Sequence, residues 1–336
     1  MSTTTSWGII GPGKIANKFA LALKLVPGAR LGAVASRDTE KGRRFAAAHS
    51  DAATPDTQPV VRVYDNYAAL AADPEIQAIY IATPHGFHAE HAILCLKHGK
   101  AVLCEKPLAL SARQVSAMIA ASRASGAFLM EAMWTRFIPL MREVTALVSS
   151  GQIGILKYLR ADFGFLSPFD PASRLYNIRL GGGSLLDIGI YPLYLCLQLL
   201  GKPDHITAVG SLSPTGSDIT CHAILQYPEN TSAVISSTLT CQTSLTAEIA
   251  GTEGMIRIPT PWYKNDRFEW NRTGEPVVTV QLESMVNGFE YQIAEVMRCM
   301  EQGLIESPAL PHSFSLMMSS TMDAIRAQIG VRYENE

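Results

Sequence analysis

Trp7-Gly8-Ile9-Ile10-Gly11-Pro12-Gly13-Lys14-Ile15-Ala16 is the stretch that decides the fold. An apolar run ends in a glycine turn, and a helical pattern follows over residues 15–25. Gly11 permits the tight turn, Gly13 lets the backbone approach a pyrophosphate, and Ala16 is small enough for close helix packing. The helix start offers unpaired N–H groups to an anion. Gly11, Pro12, Gly13, Lys14 and Ile15 are therefore candidate contacts to a dinucleotide. A lone glycine motif is weak, but this one has the strand–turn–helix setting that the binding requires.

Around this stretch, the first third of the chain alternates apolar runs with helical patterns. Strands are predicted at 7–11, 31–36, 61–64, 78–82 and 101–104, with a sixth at 128–130; helices fall at 40–48, after Asn66, at 88–96 and at 111–125. Such alternation means βαβ units and a parallel sheet. From about residue 150 the pattern becomes period-two. Strands are predicted at 154–163, 206–212, 220–227, 232–241, 243–250, 255–258 and 277–282, with helices at 140–148, 187–200, 288–300 and 313–329. This predicts an α/β Rossmann domain (1–134) and an α+β C-terminal domain with a large, mainly antiparallel open sheet (135–336). The C-terminal helix is left open to packing back on the first domain.

The 336 residues carry a formal net charge of −2, with 47% hydrophobic and 17% charged residues. This composition gives no electrostatic case for a nucleic-acid partner. No uninterrupted apolar stretch reaches membrane-spanning length; the richest, 185–200, contains Asp187, Gly189 and Pro192. The six cysteines form no C-x-x-C pair. They read as reduced, mostly buried thiols of a cytoplasmic protein. No metal-ligand cluster is evident in the spacing.

The second strand ends Val34-Ala35-Ser36-Arg37-Asp38. A hydroxyl and a guanidinium there, with Lys41 one turn on, suit the 2′-phosphate of NADP better than the ribose hydroxyl of NAD. Asp38 complicates this unless it caps the following helix. Thr83-Pro84-His85 and Glu105-Lys106-Pro107 follow the fourth and fifth strands, where a parallel sheet opens its ligand crevice. Thr83, Pro84, His85, Glu105 and Lys106 are taken as facing the cofactor. His85 reads equally well as structural, and Lys106 either stabilises charge on a substrate oxygen or is a surface lysine before a turn. His88 and His91 read as helix-surface residues.

The segment Gly181-Gly182-Gly183-Ser184-Leu185-Leu186-Asp187-Ile188-Gly189-Ile190-Tyr191 is the other constellation. Asp187 and Tyr191, four apart, share one face of a helix. They form a proton relay or substrate clamp, or else Asp187 serves the helix dipole and Tyr191 fills core. Trp134 is read as an apolar wall over a substrate. Phe165, Arg174, Tyr176 and Arg179 are further residues that line a cleft or serve structure.

Together the glycine motif, Glu105-Lys106-Pro107 and the glycine-rich lead into Asp187 resemble the glucose–fructose oxidoreductase / inositol dehydrogenase superfamily over essentially the full length. Tyr191, where many members carry histidine, and Glu131-Ala132-Met133-Trp134-Thr135-Arg136-Phe137 look like its dimeric dihydrodiol dehydrogenase and NADP-dependent D-xylose dehydrogenase branch. The resemblance implies a dehydrogenase/reductase acting on a cyclic diol, aldose or dicarbonyl. It makes Tyr191 the general acid/base, Lys106 its electrostatic partner, Asp187 a substrate or relay carboxylate, and Trp134 and Phe165 parts of the substrate pocket. It also implies homo-oligomerisation, as a homodimer or larger, through the exposed sheet face. The alternatives are an NAD-dependent sugar or inositol dehydrogenase and a non-catalytic dinucleotide-sensing protein.

Overall fold

The computed structural model describes residues 4–50, 61–334 and 336. The chain forms two compact units, each described by itself. The first comprises Met1–Ala109, Arg113–Trp134 and Asn287–Leu316; the second comprises Leu110–Ala112, Thr135–Val286 and Met317–Glu336.

The first unit contains β1 (Thr5–Ile10), α1 (Lys14–Leu23), β2 (Ala29–Ala35), α2 (Thr39–His49), β3 (Arg62–Tyr64), α3 (Tyr67–Ala72), β4 (Ala78–Ile81), α4 (His88–Lys97), β5 (Ala101–Glu105), α5 (Ala112–Ser125) and β6 (Leu129–Ala132). Its sheet is wholly parallel in the order β3-β2-β1-β4-β5-β6. That is the doubly wound order, with the reversal between β1 and β4 opening the ligand crevice. Helices cover both sheet faces, so strands such as Ala78–Ile81 are buried throughout. Ile10, Ile79, Ile81, Val102, Leu96 and Leu129 belong to the core on one side of this sheet.

The second sheet is built from β7 (Leu156–Gly164), β8 (His205–Leu212), β9 (Asp218–Tyr227), β10 (Thr231–Thr238), β11 (Ala247–Gly251), β12 (Gly254–Ile258), β13 (Arg267–Arg272) and β14 (Val278–Gln281). The order is β14-β13-β12-β11-β7-β10-β9-β8. Only the β7–β10 pairing is parallel. Helix α6 (Pro139–Ser149) precedes the sheet, and α7 (Ile190–Leu200) packs on β7 and β10. From Ile190 to Leu197 every residue of α7 is buried, which explains why its sequence is apolar on all sides. Residues 178–200 are thus long and apolar enough to cross a membrane, but 83% of the most apolar window is buried inside the protein. Helices α8 (Glu290–Glu301) and α9 (His312–Ile329) complete the chain.

The opposite face of the second sheet is open. Val209 is 63% and Ile224 46% exposed, and Tyr158, in register with Ser232 and Gln226, is exposed on the same face. Toward β12 the same sheet carries ion pairs instead, with Arg160 and Arg257 both on Glu248.

Candidate active site

The crevice of the first unit begins at Gly11. Its φ is +87°, and a Cβ there would lie 2.9 Å from the Ala82 carbonyl oxygen and 3.0 Å from Thr83 Cγ2. Only glycine lets the turn lie this close to the end of β4. Gly13 starts α1, and no side chain caps that helix. The nearest atom to a Cβ on Gly13 would be the Gly11 oxygen at 4.0 Å, so the missing side chain leaves space rather than relieving a clash inside the protein. No acid occupies the first turn of α1. An uncapped positive helix end behind an open glycine fits a pyrophosphate. Ala16 is fully buried, as close packing of α1 requires.

At the end of β2, Asp38 caps α2, its side chain accepting from the Lys41 N–H at 3.0 Å. Ser36 Oγ accepts from the Asp38 N–H at 3.2 Å, which leaves the hydroxyl hydrogen for another acceptor. Arg37 is exposed, its guanidinium 5.9 Å from the centre of the Phe87 ring. Phe87 belongs to a short 3-10 turn, His85–Phe87, that follows Thr83-Pro84. The β2 and β4 loops thus meet at an aromatic ring carrying a cation.

The sequence pattern puts His88 and His91 on the helix surface, but both are buried. The loops after β4 and β5 fold over the start of α4 and cover them. His91 Nδ1 lies 3.0 Å from Thr83 Oγ1, and burial with the Arg37 charge pushes its pKa down to about 4. His88 Nε2 lies 2.8 Å from the Thr83 oxygen, and Nδ1 lies 2.8 Å from the Pro107 oxygen. His85 stacks edge-on against His88 at 5.6 Å.

Lys106 follows β5. Glu105 accepts from the Tyr80 hydroxyl and, through Oε2, from the Lys106 N–H at 3.2 Å. Glu131 Oε1 accepts from the Leu108 N–H at 2.9 Å, and Oε2 from Ser315 Oγ at 2.6 Å. Burial raises the Glu131 pKa to about 7, against the lowering effect of those two hydrogen bonds. Trp134 follows β6 in the first unit, buried and 5.4 Å from the ring of Phe289.

In the second unit, the expected helix over 187–200 begins earlier and irregularly. Leu185–Gly189 forms a π turn that runs into α7, so Asp187 and Tyr191 sit on successive turns of different pitch rather than on one regular helix face. The buried Asp187 accepts from Arg174 Nη1 at 2.7 Å. Tyr191 is nearly buried, 5.5 Å from the Phe163 ring and 5.3 Å from Tyr263. Phe163 and Tyr263 stack on each other at 4.3 Å. Phe165 is half-buried, and its N–H donates to the Thr238 oxygen.

Asp218 organises the glycine-rich approach. One carboxylate oxygen accepts from Ser184 Oγ and from the Leu185 N–H, both at 2.7 Å. The other would stand 2.3 Å from a Cβ on Gly183, whose φ is +139°. From the far side, the Tyr333 hydroxyl donates to the Gly182 oxygen at 2.9 Å. Sequence reading missed Asp218, Tyr333, Phe163 and Tyr263; none carries a local motif. Arg174 was named there, but without its partner.

Comparison with known proteins agrees with this architecture. Residues 5–133 match the oxidoreductase family with an NAD-binding Rossmann fold, and residues 141–257 match the GFO/IDH/MocA C-terminal domain. The trans-1,2-dihydrobenzene-1,2-diol dehydrogenase of Xenopus laevis is 37% identical over 342 residues, spanning 98% of this chain and 99% of that protein. Aldose-aldose oxidoreductase from Caulobacter crescentus, solved with glycerol, superposes with a TM-score of 0.86 at 25% identity, covering 97% of each chain. A 3-ketoreductase from Actinomadura kijaniata, solved with TDP-benzene and NADP, shares the fold with a TM-score of 0.85 at 24% identity over 98% of this chain and 99% of that one. The chain belongs to the GFO/IDH/MocA oxidoreductase family, pairing its dinucleotide-binding Rossmann domain with its C-terminal domain.

Proposed function

We propose that this protein is an NADP-dependent dehydrogenase/reductase acting on CH–OH groups, with a cyclic diol of the dihydrodiol type as its substrate class and an aldose or dicarbonyl next. The observation that carries this reading is the similarity, along 98% of the chain, to a dihydrodiol dehydrogenase. Asp38 supports NADP: its carboxylate is spent on the cap of α2, leaving Ser36, Arg37 and Lys41 to meet a 2′-phosphate.

When bound, the nicotinamide supplies or accepts the hydride. Tyr191 exchanges a proton with the reacting oxygen. A phenol of ordinary pKa about 10 suits donation to a carbonyl. For alcohol oxidation it needs a cation to favour the phenolate, and Lys106 takes that role. Asp187, paired with Arg174, orients a second substrate hydroxyl or the Tyr191 phenol. Trp134, Phe165, Thr83, Pro84, His85 and Glu105 stay as proposed contacts around these groups.

The same reading makes the protein a cytoplasmic homo-oligomer. Free cysteines support the compartment, and the open sheet face around Val209 and Ile224 supports self-association. The test is a panel of cyclic diols, aldoses and dicarbonyls offered with NADP and with NAD. Turnover of a diol with NADP is expected. Inertness of the whole panel with both cofactors overturns the reading in favour of a dinucleotide sensor, and tenfold tighter binding of NAD overturns the cofactor assignment.

A further inference from the structure

The peptide that joins Pro107 to Leu108 is held on both of its polar sides. Its carbonyl oxygen faces His88 Nδ1 at 2.8 Å, and its N–H donates to Glu131 Oε1 at 2.9 Å. The two holding side chains come from different elements, the first turn of α4 and the strand β6. Each is itself fixed. Glu131 accepts from Ser315 through its second oxygen, and the other nitrogen of His88 faces the Thr83 oxygen at 2.8 Å. One residue upstream, the Lys106 N–H is held by Glu105. All three holding side chains are buried.

A buried carboxyl and a buried imidazole are costly choices for fixing a loop. Burial pushes His88 down to about 4, so near neutral pH the ring is uncharged and donates one proton to one of its two carbonyl neighbours. Neither group is required by the sheet, whose hydrogen bonds are made by backbone. What they share is the single peptide unit between Pro107 and Leu108, one residue beyond Lys106. We infer that Glu131 and His88 are positioning residues, which fix the backbone behind Lys106 and thereby the direction in which its side chain leaves the β5 edge. The ring packs between the Thr83 and Pro107 carbonyls and, being uncharged, hydrogen-bonds one of them. The inference rests on the catalytic reading of Lys106. Neither residue is assigned contact with substrate; both act through Lys106.

The test compares turnover with cofactor affinity. Glu131→Ala and His88→Phe each lower kcat at least tenfold, while the equilibrium Kd for NADP, measured by titration without substrate, moves less than threefold. Glu131→Gln recovers most of the loss, because its amide oxygen still accepts from Leu108 and its NH2 reaches Ser315. Lys106→Met serves as the reference. If Lys106→Met keeps wild-type turnover, the catalytic reading fails. If Lys106→Met is impaired but Glu131→Ala and His88→Phe turn over normally, the positioning role fails. Equal losses of kcat and of NADP affinity also overturn it, since they mark general damage to the Rossmann unit. Should those two variants not fold, Ser315→Ala decides: it loosens Glu131 alone, and a kcat unchanged within experimental error contradicts the inference, whereas a fall of threefold or more at constant Kd supports it.

Discussion

Arg174 Nη1 stands 2.7 Å from Asp187 Oδ1, across an irregular stretch that separates them by thirteen residues. The carboxylate is buried and the guanidinium 56% exposed, so the pair sits at the edge of the second unit's interior with the acid inside. An ion pair with one exposed member contributes little to stability, about 1 kcal/mol or less. Its use is to set where the Asp187 oxygens point.

Replacing Arg174 by Met is therefore expected to leave the unfolding midpoint nearly unchanged while lowering kcat/KM roughly ten- to hundredfold, the scale of a misplaced functional group. Thermal unfolding alongside steady-state kinetics checks both. A destabilised variant with normal kinetics would assign the pair to structure alone.

Gly183→Ala should act oppositely, on stability first. The substitution places a Cβ 2.3 Å from a buried Asp218 oxygen in a backbone conformation with φ of +139°. Strain of this kind costs on the order of 1–3 kcal/mol before the clash is counted. A chemical denaturation curve with an unchanged midpoint would show that the segment relaxes freely.

The proposed NADP preference turns on Arg37, whose guanidinium lies 5.9 Å from the centre of the Phe87 ring. Arg37→Ala is predicted to weaken NADP binding about tenfold or more, the loss of one charge-assisted contact, while NAD affinity stays within twofold. Calorimetric titration with each cofactor reads this directly; parallel losses for both would remove the 2′-phosphate argument.

Glu131 gives the pH prediction. Its pKa rises from 4.5 to about 7 on folding, chiefly through burial. The folded state therefore holds the proton more tightly than the unfolded state. The stabilisation is fully present below about pH 4.5, declines as pH rises toward 7, and is gone above, a span on the order of 3 kcal/mol. Glu131→Gln lacks this dependence. Denaturation series from pH 4.5 to 7.5 should show the variant gaining on the wild type as pH rises; parallel curves would mean that Glu131 ionises normally in the fold.

How much of this was legible in the sequence follows from the range of the forces involved. The β1–Gly11–α1 unit is local, and its reading needed only adjacent residues. The strands of both sheets were visible through apolar runs or alternation, except β13. Its stretch Arg267-Phe268-Glu269-Trp270-Asn271-Arg272 buries only Phe268 fully and carries three charges, so it shows no clear strand pattern. The burial of His88 and His91 could not be seen from α4 alone, because loops from two other strands cover them. The π turn at Leu185–Gly189 and the Arg174–Asp187 pair were also hidden. The glycine-rich segment that leads into them is held by Asp218 and Tyr333, which reach it from 34 and 151 residues away. Sequence spacing thus identified Asp187 and Tyr191 as candidates but not the partners that hold them.

The proposed reaction is hydride transfer from a diol carbon, with Tyr191 handling the proton. It is tested most directly by incubating the protein with NADP and a trans-dihydrodiol deuterated at the carbinol carbons, then analysing the cofactor by mass spectrometry. Deuterium is expected in the reduced nicotinamide, with Tyr191→Phe slowing its appearance by roughly a hundredfold or more. Unlabelled or unreduced cofactor with the wild-type protein, or a Tyr191→Phe variant as fast as wild type, would contradict it.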